Sequence, residues 1–134
     1  MEIFIMKLHQ FVAACVVILL AVSACGTKTT ANAADATYAY LQALASKDKD
    51  AVISLTCKES EEQAILEVDA LMSVDAALND IRCEQTGQDG DEVLVVCTGS
   101  LDLTYNDEIR AIELDKRTYS MKMEDGQWRV CSYK

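Results

Sequence analysis

From Glu92 to Tyr105 the chain reads as one strand of 14 residues, apolar on one side throughout. Val93, Val95, Cys97, Gly99, Leu101, Leu103 and Tyr105 fall on one side, and Thr98, Ser100, Asp102 and Thr104 on the other. A period of two is the signature of a strand with one buried and one wet face, and no helix tolerates it. A strand this long needs partners on its edges, so the rest of the chain must supply a sheet and something to cover its apolar side.

The partners are legible on both sides. Ile81 and Cys83 share a face ahead of a turn at Gly87-Gln88-Asp89-Gly90-Asp91. After Asn106-Asp107-Glu108 a third strand runs to about Met123, with Tyr119, Met121 and Met123 in register. Ile112 and Leu114 have the opposite parity, which predicts a bulge or break near Asp115-Lys116. Glu124-Asp125-Gly126 is a tight turn, and Gln127 to Tyr133 is the last strand, with Trp128 and Val130 on one face.

The cover comes from the N-terminal half. Tyr38, Leu41, Leu44 and Ala45 have helical spacing within 35–46. Asp48 is placed to cap a short second helix carrying Val52, Ile53 and Leu55. Ser60 with Gln63 reads as a capping box for a third, whose stripe is Ile65, Val68, Leu71 and Met72. Helices followed by a meander predict an α+β domain, three helices packed on a four-stranded antiparallel sheet.

Charge and residue type narrow the chemistry. The net charge of −10 in 134 residues argues against nucleic acid, whose phosphates need clustered Lys and Arg. The one histidine is His9, far from the domain. Ser-His-Asp catalysis, Cys-His catalysis and histidine metal sites are therefore not available to residues 35–134, and no metal or cofactor is expected there.

Ahead of the domain, Phe11 to Val22 is an apolar run of 12 residues, against the roughly 20 a helix needs to span a bilayer. It ends in Val22-Ser23-Ala24-Cys25-Gly26. This arrangement resembles the lipobox of bacterial lipoprotein precursors, in which the peptide is cut before the cysteine and its sulfur takes a diacylglyceryl group. Val12-Ala13-Ala14-Cys15 fits the same pattern locally but has no apolar core before it. The resemblance implies a cleaved signal helix over 1–24, lipid on Cys25, a polar tether over 25–34 and a domain over 35–134. It also implies an extracytoplasmic location at the cell membrane. Lipid chains contribute about 0.8 kcal/mol per buried methylene, so two or three chains hold stably where one does not.

The domain then keeps Cys57, Cys83, Cys97 and Cys131. An even set in an exported domain of this size points to two disulfides, for which three connectivities exist. Cys83 and Cys97 are equidistant from Gly90 and should meet across a hairpin, which leaves Cys57 with Cys131. Strict alternation sets Cys131 on the face opposite Trp128, so that second link needs an edge position or a twist. No C-x-x-C occurs, which disfavours redox and thiolate-metal roles.

The stretches Tyr40 to Cys57 ("ALASKDKDAVISLTC" at their core) and Tyr119 to Tyr133 ("YSMKMEDGQWRVCSY"), with the element order, resemble small secreted or lipid-anchored members of the nuclear transport factor 2-like superfamily, also called cystatin-like. That resemblance implies a curved sheet wrapped into a cone around the helices. The cone would be lined by Tyr38, Leu41, Val68, Met72, Leu101, Tyr105, Tyr119 and Trp128, or simply filled by them. Three functions follow. The first is a non-catalytic binding or accessory domain for a small apolar ligand. The second is a docking partner for another envelope protein, through the sheet face bearing Thr98, Ser100 and Thr104. The least favoured is an enzyme using Asp102 or Asp69 beside Tyr105. Nothing in the residues specifies an oligomeric state.

Overall fold

A computed structural model describes residues 32–134. The signal helix, Cys25 and nearly all of the tether lie outside the described residues. The elements run α1 (Ala33–Ser46), α2 (Lys49–Ser54), α3 (Glu61–Leu71), β1 (Asp75–Asp89), β2 (Glu92–Tyr105), β3 (Glu108–Glu113), β4 (Thr118–Glu124) and β5 (Gln127–Tyr133). Short 3-10 turns precede α3 at Lys58–Ser60 and β4 at Leu114–Lys116. The class is α+β, with helices on one side of a single antiparallel sheet.

Helix starts depart from the sequence expectation in two places. The first helix begins at Ala33 rather than Asp35, because the Asn32 side chain accepts from the Asp35 amide at 2.9 Å and caps it. Ala33 and Ala34 therefore belong to the helix and not to the tether. Asp48 caps α2 as expected, accepting from the Ala51 amide at 3.0 Å. The capping box at Ser60 does not form. Ser60 Oγ donates instead to the Cys131 carbonyl, tying the helical layer to β5.

The long alternating strand is β2, and it is the spine of the sheet. Its one edge pairs with β1 from Asp75↔Thr104 to Asp89↔Glu92. Its other edge is shared: β4 pairs with Val93 to Val96 and β3 with Ser100 to Tyr105. The sheet thus has five strands rather than four, because the expected third strand is cut in two. The cut falls at Leu114–Lys116, where the parity change predicted a break. Leu114 and Tyr119 are an odd number of residues apart, yet both are fully buried. An unbroken strand would send one of them to solvent. The 3-10 turn resets the phase and tucks Leu114 under β2.

A bulge bends the long hairpin at Gly99. Its φ is +90°, and opposite it Asp80 has φ +52° where the β1–β2 register shifts between Asn79 and Arg82. A Cβ on Gly99 would collide with the Asn79 carbonyl oxygen and come within 2.7 Å of that of Asp80. Glycine is required here by close approach as well as by the backbone angle.

The core lies between sheet and helices. Leu41 and Leu44 of α1, Val52 of α2 and Val68 of α3 meet Val95, Leu101, Leu114, Tyr119 and Met121. The buried face of α1 runs through Ala36, Tyr40, Leu41, Ala43 and Leu44, so the expected Leu41 and Leu44 are in it while Tyr38 and Ala45 are not. Tyr40 is buried and Tyr38 is turned to solvent.

Both disulfides join the expected partners. Cys83–Cys97 links facing residues of the β1–β2 ladder, with Cα atoms 4.0 Å apart. Cys57–Cys131 joins the loop after α2 to β5, with Cα atoms 4.7 Å apart. The parity objection to Cys131 is answered by a second bulge. Ser120 pairs with Ser132 but Met121 pairs with Val130, so Cys131 has no partner on β4. Val130 and Cys131 are consecutive and both buried. The extra residue turns the sulfur towards the helical layer, where a parallel bridge between Thr56 and Val130 brings Cys57 alongside.

Candidate functional site

The expected cone lining separates into two groups. Leu41, Val68, Leu101 and Tyr119 are buried and fill the interior, and Trp128 is half-buried against the same cluster. Tyr38, Met72 and Tyr105 are 39%, 60% and 61% exposed, so they line no enclosed space. Met72 falls just past the last turn of α3, and Tyr105 sits at the β2–β3 hairpin where the helices no longer cover the sheet. The interior is a packed core and not an open cone.

One recess among the described residues lies at the rim, between α3 and β5. It has a volume of about 310 Å³ and is walled by Tyr40, Ser60, Gln63, Glu67, Val130 and Tyr133, with Thr56, Ala64, Cys131 and Ser132 completing it. Glu67 is its centre. Tyr40 Oη donates to Glu67 Oε2 at 2.8 Å, and Tyr133 Oη donates to Oε1 at 3.0 Å. Arg117 lies behind, its Nη1 3.9 Å from Oε1 and its guanidinium 4.5 Å from the centre of the Tyr133 ring. The Tyr133 ring is tilted against that of Tyr119 at 5.5 Å.

Each partner arrives from a different element. Tyr40 comes from the buried face of α1, Glu67 from the α3 flank next to Val68, Arg117 from the end of the 3-10 turn just ahead of β4 and Tyr133 from the end of β5. The C-terminal strand is held in place by pairing of Tyr119 with Tyr133 and by the reciprocal backbone bonds of Thr118 and Lys134.

The phenols are strongly biased to stay protonated. Burial is the main cause at Tyr40, and the Glu67 carboxylate adds to it. Burial and then Glu67 push Tyr133 up to about 12. Burial also raises Tyr119, while nearby Arg117 pulls in the other direction. The Tyr119 hydroxyl is close enough to feel that charge yet makes no hydrogen bond among the described residues. Phenols held protonated at neutral pH serve here as hydrogen-bond donors to Glu67 in the case of Tyr40 and Tyr133.

The carboxylate–tyrosine pairs suggested by the sequence do not form. Asp102 accepts from Ser100 Oγ at 2.6 Å and from Asn79 Nδ2 at 3.4 Å, on the outer face of the sheet. Asp69 pairs with Lys49 at the surface. Neither bonds Tyr105. Glu67, Tyr40 and Tyr133 form the cluster instead. The signal for Glu67 was available, since it precedes the core residue Val68 on α3, but its partners come from 27 and 66 residues away. Among the described residues no group of His, Cys, Asp and Glu is arranged to hold a metal ion.

No protein-family model matches the chain, and no curated protein matches it in sequence. Solved structures do match in shape. A SEC-C motif containing protein from Rhodopseudomonas palustris superimposes with a TM-score of 0.59 at 13% identity, over 81% of each chain. A nuclear transport factor 2-like protein with a cystatin-like fold from Novosphingobium aromaticivorans superimposes with a TM-score of 0.51 at 12% identity, over 75% of each chain. A protein from Xanthomonas campestris described as a calcium/calmodulin dependent protein kinase II association domain gives 0.51 at 16% identity, over 72% of this chain and 79% of that one. At these identities the likeness is one of fold: residues 32–134 share the cystatin-like fold of the Novosphingobium protein.

Proposed function

We propose that this protein is a lipid-anchored domain on the extracytoplasmic face of the cell membrane, and that it works by non-covalent binding in the Glu67 recess rather than by catalysis. The observation that carries the binding reading is the convergence of Tyr40, Glu67 and Tyr133 on one open recess while the interior behind it is filled. A concave site with a few convergent polar groups is the usual form of a binding pocket. The anchor is supported by the Val22-Ser23-Ala24-Cys25 box and by the cysteine count. Two disulfides use all four cysteines of the domain, and such bonds persist in oxidising compartments.

Two experiments test the two halves. Growth with an alkyne fatty acid should label the protein and leave Cys25→Ser unlabelled; a parent without label, or an equally labelled variant, rejects the anchor. For the recess, fragments that shift the Tyr133 and Gln63 resonances should lose their effect in Gln63→Trp, which fills the opening. A panel that moves no resonance of the recess rejects binding there.

A second reading, docking onto another envelope protein, is favoured by the β2–β3 hairpin. It projects Ile109, 70% exposed, beside Tyr105 on the opposite face. Loss of a cross-linked partner in Ile109→Asp, with the recess still binding its fragments, would select that reading.

A further inference from the structure

We propose that the group the recess accepts is a primary ammonium, carried on a short apolar stem. The inference deepens the binding reading above and rests on it.

The argument starts from where the protons point. Tyr40 and Tyr133 each have one hydroxyl proton, and both are spent on Glu67. What the two hydroxyl oxygens still offer is lone pairs. Ionised Glu67 is acceptor-only, and its two oxygens together have about four acceptor positions. Tyr40 takes one, and Tyr133 and Arg117 approach the other oxygen. At the centre of the recess the protein therefore presents two phenolic oxygens and a carboxylate, all acceptors. A ligand lacking N–H or O–H donors would leave their spare lone pairs without partners on leaving water.

Ionic character follows from the same groups. Arg117 offsets part of the Glu67 charge, but at 3.9 Å between two partly exposed side chains the pair is weak. Arg117 does not line the recess, and no Lys or Arg does. The chain has a net charge of −10, which favours the approach of a cation and disfavours an anion.

Shape then decides between the two common organic cations. A guanidinium prefers a carboxylate with both oxygens free for its planar fork. Here each Glu67 oxygen is already engaged by a phenol. An ammonium has three N–H donors on a compact head, matching Tyr40 Oη, Tyr133 Oη and the remaining Glu67 position. Ala64, Val130 and Cys131 supply apolar wall for a methylene stem. The opening towards Gln63 and Ser132 is where such a stem would leave.

Two sources carry this chemistry, a free amine and the lysine side chain of a protein. Nuclear magnetic resonance titration of the folded domain with n-butylammonium, n-butyramide and butyrate tests the proposal. N-acetyl-lysine methylamide added as a fourth probe separates the sources. Butylammonium should shift Tyr133 and Gln63 at concentrations where butyrate does nothing, and about tenfold below those needed for butyramide. Glu67→Gln should weaken it about tenfold, and Tyr133→Phe, at a half-exposed position that tolerates the change, several-fold. Tighter binding of the lysine derivative than of butylammonium assigns a protein source, and the reverse a free amine; both outcomes sustain the proposal. Butyramide or butyrate binding in the recess as well as butylammonium does, or butylammonium binding that survives both substitutions, overturns the ammonium assignment and leaves the recess as a binding site. Silence from all four probes rejects the recess itself.

Discussion

Tyr40 Oη lies 2.8 Å from Glu67 Oε2, a bond between the buried face of α1 and the flank of α3 across 27 residues of chain. Tyr40 is almost completely buried, while Glu67 still touches solvent. The two ends of this bond are therefore unequal. Removing the hydroxyl loses a charge-assisted bond but leaves a carboxylate that water and Tyr133 can satisfy. Removing the carboxylate leaves a largely buried phenol without its acceptor. Glu67→Ala is expected to cost about 3 kcal/mol and Tyr40→Phe about 1.5 kcal/mol. Urea denaturation of the two variants checks the order, and equal or inverted losses contradict it.

Alkali should unfold this domain through the same cluster. Tyr133 ionises near 10.0 when unfolded and at about 12 when folded. Its folded-state value is raised, so its contribution is complete below pH 10 and is lost as pH climbs through about 12. Tyr40 is displaced in the same direction and deepens the loss. Stability measured against pH should fall across that window, and less steeply in Tyr133→Phe. A variant with the same slope as the parent would remove Tyr133 as a cause.

The two disulfides should differ in value. Cys57–Cys131 spans 74 residues and Cys83–Cys97 only 14. On the chain-entropy account the long link contributes about 4.4 kcal/mol and the short one about 3 kcal/mol. The long link also holds β5 and thereby Tyr133. Replacing Cys57 and Cys131 with Ala should lower stability more than the same change at Cys83 and Cys97. It should also broaden the Tyr133 ring signals, which the other pair leaves unchanged.

Gly99 and Gly126 provide a matched comparison. Both have positive φ, +90° and +76°. A Cβ at Gly126 meets nothing within 4 Å, whereas one at Gly99 runs into the backbone of Asn79 and Asp80. Gly126→Ala should cost about 1 kcal/mol of backbone strain. Gly99→Ala adds a backbone collision and should cost about 2–4 kcal/mol, with loss of the β1–β2 register near Cys83. Thermal denaturation of both variants gives the comparison.

Much of the architecture was legible because it is written in short-range pattern. The alternation from Glu92 to Tyr105 matches β2 at both ends. The parity change at Asp115-Lys116 located the turn that divides β3 from β4, and the symmetry of Cys83 and Cys97 about Gly90 located a disulfide. Helix phase was less accurate. Tyr38 and Tyr40 both sit among apolar neighbours, and only the position of α1 against the sheet selects Tyr40 for burial. Ser60 and Gln63 satisfy the capping pattern, yet the Ser60 hydroxyl donates to the Cys131 carbonyl and accepts no bond from the helix start.

The residues by themselves determined an α+β chain with a spine strand, two pairable sets of cysteines, no histidine in the domain and an acidic surface. These follow from periodicity, composition and spacing, which act over a few residues or over the whole chain at once. Tertiary structure alone decided that the interior is filled, that Cys131 escapes its strand parity through a bulge, and that Tyr40, Glu67 and Tyr133 share one recess. Their hydrogen bonds join residues up to 66 apart, and no local pattern encodes a contact that only sheet register and helix docking bring about.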